Sequence, residues 1–414
     1  MRSRLTVFFA CVFLNLLFSY ISLCQTWWEK SGQKYDYDLS GKRILIVLGG
    51  DFDYHETFVI KKHWEDWGAK VDVAGTAQEL TGHLWKRTEK GWDRSETREV
   101  KTDLILPEID LARYHALFLP GGNSPKNLLR TDSALVTRLI RQADKQGLVL
   151  GAICHGPLVL AVAGVLKGRA ATGHTEIIDV LTNAGAAYAK RVYVVDRNIV
   201  TTNWPYFETT AVKMAQQMLH PEFLQFTTFI DSDNPAIRAR AEELTAGCTT
   251  EAERAKKTFE YVRDSYNEVP CATHVASEVM RCGGNSCRRR SILLAALCRA
   301  VGIPARLHLQ KVTIKDWRRS DGMIVDVTFA HGITGINING KWHLYEPVGN
   351  RDKWISWTQD ERRGAEMPVR FYADRDCLFP SNNKIIIEIL PDHFADRSDA
   401  MIKLIEKIDG DVRY

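Results

Sequence analysis

Between residues 42 and 220 the chain alternates two kinds of segment, and this alternation limits its fold more than any other feature. Short, largely apolar runs stand at Arg43–Leu48, 70–74, Ala116–Leu119, 148–153, 192–195 and Ile199–Thr202. Stretches of helical period lie between or after them, over residues 56–67, 133–146, 156–166 and 206–219. A run too short for a helix and apolar at nearly every position suits a strand buried on both faces. Strands joined through helices give a mostly parallel sheet with helices on both sides. The expected class is α/β, a flavodoxin-like parallel sheet.

The pattern changes near residues 220–234. Asp233-Asn234-Pro235 signals a helix start, with proline at the first helical position. Residues 235–266 are helical and charged, and an apolar helix follows Cys287 until Gly302 and Pro304 stop it. Strands are expected from Arg306 onward. Asn339-Gly340, flanked by Ile336-Asn337-Ile338 and Lys341-Trp342-His343, is a two-residue hairpin signal. Helices first and antiparallel strands later read as α+β. A chain of 414 residues suits two or three domains. We delimit a first domain at 42–222 and a second at 226–350, with 351–414 as an extension of the second.

The N-terminus reads as an export signal. Arg2 and Arg4 precede an apolar stretch from Leu5 to Leu23, and Ser22-Leu23-Cys24 offers a cleavage site before Gln25. We assign residues 1–24 as a signal peptide and expect an exported protein, periplasmic or extracellular. An uncleaved segment would instead anchor the chain in a membrane. The formal charge is +4, and loss of Arg2 and Arg4 leaves 4 − 2 = +2. So weak a balance argues against a nucleic-acid partner. The run Arg288-Arg289-Arg290 is read as a solvated helix start. Of nine cysteines, Cys11 and Cys24 fall in the signal. Cys271 and Cys282 are a candidate disulfide in an oxidising compartment, and Cys298 reads as core. No Cys/His cluster has structural zinc spacing, and no metal or organic cofactor is called for.

Two cysteines stand in chemically suggestive settings. Cys154 lies in Gly151-Ala152-Ile153-Cys154-His155-Gly156, where a strand stops and feeds a helix. Such an elbow exposes its turn residue at the carboxyl edge of the sheet. The helix start beyond it is expected to lower the thiol pKa. Backbone N–H groups of Gly121 and Gly122, with that of His155, are candidate oxyanion donors. Cys287 follows Gly283-Gly284-Asn285-Ser286 at the start of the second apolar helix. His331 and Glu346 lie downstream on either side of the Asn339-Gly340 turn. Pairing about that turn sets residue i opposite 679 − i, which makes Glu346 a near-diagonal neighbour of His331. An acid there can orient the imidazole, as in a Cys-His-acid triad.

The first region resembles the ThiJ/PfpI family of PfpI-type peptidases, glyoxalases and stress chaperones, with a class I glutamine-amidotransferase-like fold. The resemblance rests on Ala152-Ile153-Cys154-His155-Gly156, Pro120-Gly121-Gly122-Asn123, His55-Glu56-Thr57, Thr172-Gly173-His174 and Ile199–Thr202. It implies that Cys154 is the nucleophile, Glu56 the acid that holds its thiol, and His155 or His174 the proton partner. It also implies dimerisation, with a site completed across subunits in the peptidase-like members. Trp204-Pro205-Tyr206 departs from the family's small glycine-rich turn and implies a narrower, more aromatic pocket. The second region resembles the papain-related transglutaminase-like superfamily. That rests on Cys287, the segment Gly302-Ile303-Pro304-Ala305-Arg306, His331, and Gly340-Lys341-Trp342 before Glu346-Pro347. The resemblance implies a triad of Cys287, His331 and Glu346, with Glu where the superfamily usually has Asp. Gly332-Ile333 replaces its small-aromatic pair.

The expected function is cysteine-dependent hydrolysis of amide bonds in a peptide, protein or cell-envelope substrate. Rival expectations are a glyoxalase, deglycase, chaperone or redox-sensing first domain. The second could crosslink or bind without catalysis.

Overall fold

The computed structural model describes residues 35–84, 86–88, 91–265, 272–282, 286–318, 322–347, 369–378 and 385–410. The assigned signal segment, Cys271, residues 283–285 and residues 351–368 of the extension lie outside the described residues. No helix of the described residues is long and apolar enough to cross a membrane.

Strands β1 (Arg43–Leu48), β2 (Lys70–Gly75), β3 (Leu104–Ile105), β4 (Ala116–Leu119), β5 (Val149–Ile153), β6 (Tyr193–Asp196) and β7 (Ile199–Thr202) form the first sheet. Their order is β6-β7-β5-β4-β1-β2-β3. Every pairing is parallel except that of β6 with β7, a hairpin. Residues 44–48, 117–119 and 150–153 are buried throughout, which explains their unbroken apolar runs.

Helices cover both faces. On one, α1 (Tyr54–Asp66) packs on the sheet beside α4 (Phe207–Leu219). Trp64 meets Phe118 edge-on and donates Nε1–H to Ala211 O at 3.2 Å. On the other, α2 (Ser124–Lys145) and α3 (Pro157–Val162) bury Leu128, Val136, Ile140, Val159 and Leu160 against Leu45, Leu117 and Leu150. Two helices differ from the sequence expectation. α2 begins at Ser124, before the expected 133, because Asp132 breaks its backbone (φ −154°, ψ 79°). The Asp132 carboxylate accepts from Leu135 N–H at 2.8 Å and caps the second half, so periodicity revealed only that half. α3 ends at Val162, short of 166, as the chain turns through Gly164 at φ +78°.

The second region opens with α5 (Pro235–Thr245), α6 (Glu251–Asp264), α7 (Ala276–Cys282) and α8 (Cys287–Ala300). Gly247 at φ +79° and a capping box of Thr250 with Glu253 divide the charged stretch into α5 and α6. Strands β8 (Ala305–Arg318), β9 (Ile324–Ile338), β10 (Lys341–Tyr345) and β11 (Ile385–Phe394) follow in the antiparallel order β10-β9-β8-β11, and α9 (Asp399–Gly410) closes the chain's described part. α8 is apolar all round because it is the central helix: residues 292–298 are buried between the other helices and the sheet. Asn339 and Gly340 both take positive φ, 55° and 94°, as the two-residue turn requires. Thr334 pairs with Tyr345 and Ile338 with Lys341, both at i + j = 679.

The described residues from Tyr37 onward form one compact unit. At the joint, the buried Lys213 of α4 donates to Glu251 Oε1 at 2.7 Å, Gly302 O at 2.6 Å and Gln216 Oε1 at 2.9 Å. Glu251 Oε2 in turn accepts the Asn339 N–H at 2.9 Å. A buried charge pair with its hydrogen bonds filled fixes a geometry, since a shifted joint would strand two ions out of water.

Candidate active sites

At the carboxyl edge of the first sheet Cys154 follows β5 with φ +58°, a conformation L-residues rarely adopt. Its N–H donates to Thr202 O at 3.0 Å and its carbonyl accepts from His174 N–H at 2.8 Å, so neighbouring segments hold the strained turn. The side chain is buried. Glu56, in the first turn of α1, has no exposed surface, and its carboxylate is close enough to Cys154 for each to shift the other's titration. Glu56 Oε2 also accepts the Gly121 N–H at 2.5 Å. A Cβ at Gly121 would fall 2.6 Å from Glu56 Oε2 and 2.7 Å from Cys154 Cβ, so only glycine fits there.

Burial raises the Glu56 pKa well above the carboxylate range, and nearby Asp53 adds to it. Burial, then the Glu56 carboxylate, push the Cys154 thiol up as well. Two acids in contact cannot both ionise cheaply, so the pair retains a proton near neutrality. This corrects the expected lowering by a helix dipole: α3 has only six residues, and its influence loses to burial and to Glu56. The two candidate histidines separate. His155 Nδ1 lies 3.2 Å from Cys154 Sγ, and its Nε2 lies 3.1 Å from Glu176 Oε2. His174 instead stacks on His155, at 4.4 Å between ring centroids. Of the three oxyanion candidates, the His155 N–H points at the sulfur and the Gly121 N–H is taken by Glu56. Gly122 (φ +67°) bridges to Phe52.

The second site is built where α8 meets β9. Ser286 caps α8 by accepting the Arg289 N–H at 3.4 Å, and half-buried Cys287 is the first helical residue. His331 on β9 and Glu346 just past β10 are both buried, with Nε2 2.9 Å from Oε1. The Cys287 sulfur is hydrogen-bonded by the His331 side chain and the Gly332 N–H. Burial alone would raise this thiol, but the His331 charge and these hydrogen bonds outweigh it and bring the thiol to about 7. Burial alone would lower His331, but Cys287 and Glu346 raise it to about 10. The pair therefore favours thiolate and imidazolium near neutral pH.

Family comparison names both halves. Residues 42–220 match the DJ-1/PfpI family, and residues 238–347 match the transglutaminase-like superfamily. The chain belongs to the DJ-1/PfpI family and carries a transglutaminase-like domain. An uncharacterized protein of Archaeoglobus fulgidus is 31% identical over 163 residues, 39% of this chain and 89% of the relative. Deglycase PfpI of Pyrococcus furiosus is 39% identical over 106 residues, 26% of this chain and 63% of the relative. The crystal structure of Drosophila melanogaster DJ-1beta is 25% identical, covers 43% of this chain and 90% of its own, and superposes with a TM-score of 0.36.

Sequence reasoning missed or misread three features of these DJ-1/PfpI and transglutaminase-like sites: Glu176, Asp409 and the arginine run. Glu176, the carboxylate beside His155, lies two residues past His174, and no motif singles it out. The departure at Gly332 noted in the sequence has a steric cause, since a Cβ there would fall 2.7 Å from Arg288 Cα. Asp409 on α9 accepts Ala330 N–H at 2.8 Å and Arg288 Nη1 at 3.0 Å. It thus ties the residue before His331 to the residue after Cys287. The arginine run is no solvated start. Arg290 is buried and donates to Pro347 O at 3.1 Å beside Glu346, while Arg289 Nε donates to Thr273 O at 2.7 Å. Cys282 is a free thiol, whereas Cys271, its candidate partner, lies outside the described residues. Cys298 is buried core.

Proposed function

We propose that the protein is an exported cysteine hydrolase of amide bonds whose working centre is Cys287, His331 and Glu346. One observation carries this: the sulfur is paired with an imidazole that is itself held by a buried carboxylate 2.9 Å away. The Cys287 thiolate adds to the amide carbonyl carbon, and the positive end of the α8 dipole stabilises the developing oxyanion. His331 gives its proton to the leaving amine as the C–N bond breaks, leaving a thioester. Neutral His331 then takes a proton from water, hydroxide adds to the thioester, and the thiolate leaves. An amine in place of water would make the second domain a crosslinker.

For the first domain we propose carbonyl chemistry of the deglycase kind, the activity named for its Pyrococcus furiosus relative. What favours it is Cys154 sharing protons with Glu56 and with a His155–Glu176 relay within one chain. Wild type, Cys154→Ala and Cys287→Ala should be compared on a labelled peptide pool and on methylglyoxal. Peptide cleavage is expected to vanish with Cys287 alone, and lactate formation with Cys154 alone. Peptide cleavage that survives Cys287→Ala would overturn the first assignment; lactate formation that survives Cys154→Ala would overturn the second.

A further inference from the structure

We propose that His155, His174 and Glu176 form a binding site for a divalent first-row transition ion of the zinc class, set against Cys154. One ligand atom from each side chain lies within 4.8 Å of the other two. His155 Nε2 and Glu176 Oε2 are already 3.1 Å apart. Ligands about 2.0–2.1 Å from a tetrahedral zinc stand roughly 3.3 Å from one another, so this edge needs little adjustment. The imidazole rings stack with their planes 26° apart and their centroids 4.4 Å apart, which keeps the two side chains side by side.

Two constraints preorganise the trio. The His174 N–H is tied to Cys154 O at 2.8 Å, which docks the second histidine's segment onto the elbow that carries the first. His155 Nδ1 faces Cys154 Sγ at 3.2 Å, leaving Nε2 on the outer side of the ring with Glu176. Among the described residues, the side-chain hydrogen bond His174 must give up is the long 3.3 Å bond its Nδ1 accepts from the Glu176 N–H, and then only if Nδ1 is the ligand. Both histidines are half-buried and Glu176 is exposed, so a fourth position stays open to water. Two imidazoles and one carboxylate suit zinc, cobalt or iron better than magnesium or calcium. Lys126 is close enough to act on both His155 and Glu176, and its charge limits the affinity.

The same three residues then have two exclusive states. Without an ion, His155 exchanges protons between Cys154 and Glu176. An ion on Nε2 confines the remaining ring proton to Nδ1, so His155 can no longer accept the thiol proton. This second step rests on the relay proposed above, whereas the binding site does not.

The test uses the full chain carrying Cys287→Ala, which removes the other thiol–imidazole pair as a competing ligand set. Chelator-treated protein titrated with zinc should take up one equivalent with micromolar affinity. Glu176→Gln and His174→Gln should each weaken uptake at least about tenfold. Glu176 is exposed, so its variant should keep the wild-type melting temperature. Cobalt in place of zinc should show ligand-field bands without a sulfur-to-metal charge-transfer band. No stoichiometric uptake, uptake unchanged in both variants, or a strong charge-transfer band would each overturn the site. Zinc should also slow alkylation of Cys154; stoichiometric zinc with an unchanged rate would sink the relay and leave the metal site standing.

Discussion

Cys154 and Cys287 each have a histidine and a carboxylate nearby, yet the two surroundings pull the thiols in opposite directions. At Cys287 the carboxylate stands behind the imidazole, so its charge reaches the sulfur as an imidazolium and brings the thiol down to about 7. At Cys154 a carboxylate touches the sulfur itself, and burial with that charge pushes the thiol up. The histidine there has its own acid, but Glu176 is largely exposed while Glu346 is buried. The order of groups, more than their identity, sets the chemistry: sulfur–imidazole–acid makes a nucleophile at neutral pH, whereas acid–sulfur–imidazole makes a proton-sharing cluster.

The sharpest way to break this comparison is to remove the charge behind the imidazole. Glu346→Gln should lower turnover on an amide substrate by about 10²-fold, since His331 loses the partner that keeps it charged and oriented. A loss confined to KM would show that Glu346 does not act through His331. Next in size is thiol reactivity. Iodoacetamide at pH 7, followed by peptide mass spectrometry, should label Cys287 at least about tenfold faster than Cys154. The sign of the pH response follows from the two shifts. Turnover at Cys287 should rise as pH passes about 7, where thiolate forms, and fall as pH passes about 10, where the imidazolium is lost. Equal labelling of both cysteines across this range would erase the distinction. The smallest effect is expected from Asp409→Ala, which frees both Arg288 and the Ala330 N–H. It should lower kcat on the order of tenfold with little change in KM, because Cys287 and His331 lose a shared brace. Asp409→Asn should restore part of that loss, as its amide oxygen can still accept one bond.

How much of this was legible beforehand depends on how far each cause reaches along the chain. Two-sided burial leaves an unbroken apolar run, so β1, β4 and β5 were plain. Asn339-Gly340 has local turn chemistry, and it carried the register that puts Glu346 near His331. The first half of α2 was hidden because Asp132 caps the helix from inside. The arginine run looked solvated because three successive charges usually are; the fold instead turns Arg290 inward, onto the carbonyl beside Glu346.

The sequence by itself determined the two architectures, the two cysteines and the hairpin register, since periodicity and turn residues act over a few positions. Only the tertiary structure decided which histidine serves Cys154, that Glu176 stands beside it, and that Asp409 braces Cys287 and His331. It also decided the direction of each thiol's pKa, because burial and charge are summed over groups far apart in the chain. A cysteine at the start of an apolar helix looks the same in either setting; the carboxylate that distinguishes them lies 98 residues upstream in one case (154 − 56) and 59 downstream in the other (346 − 287).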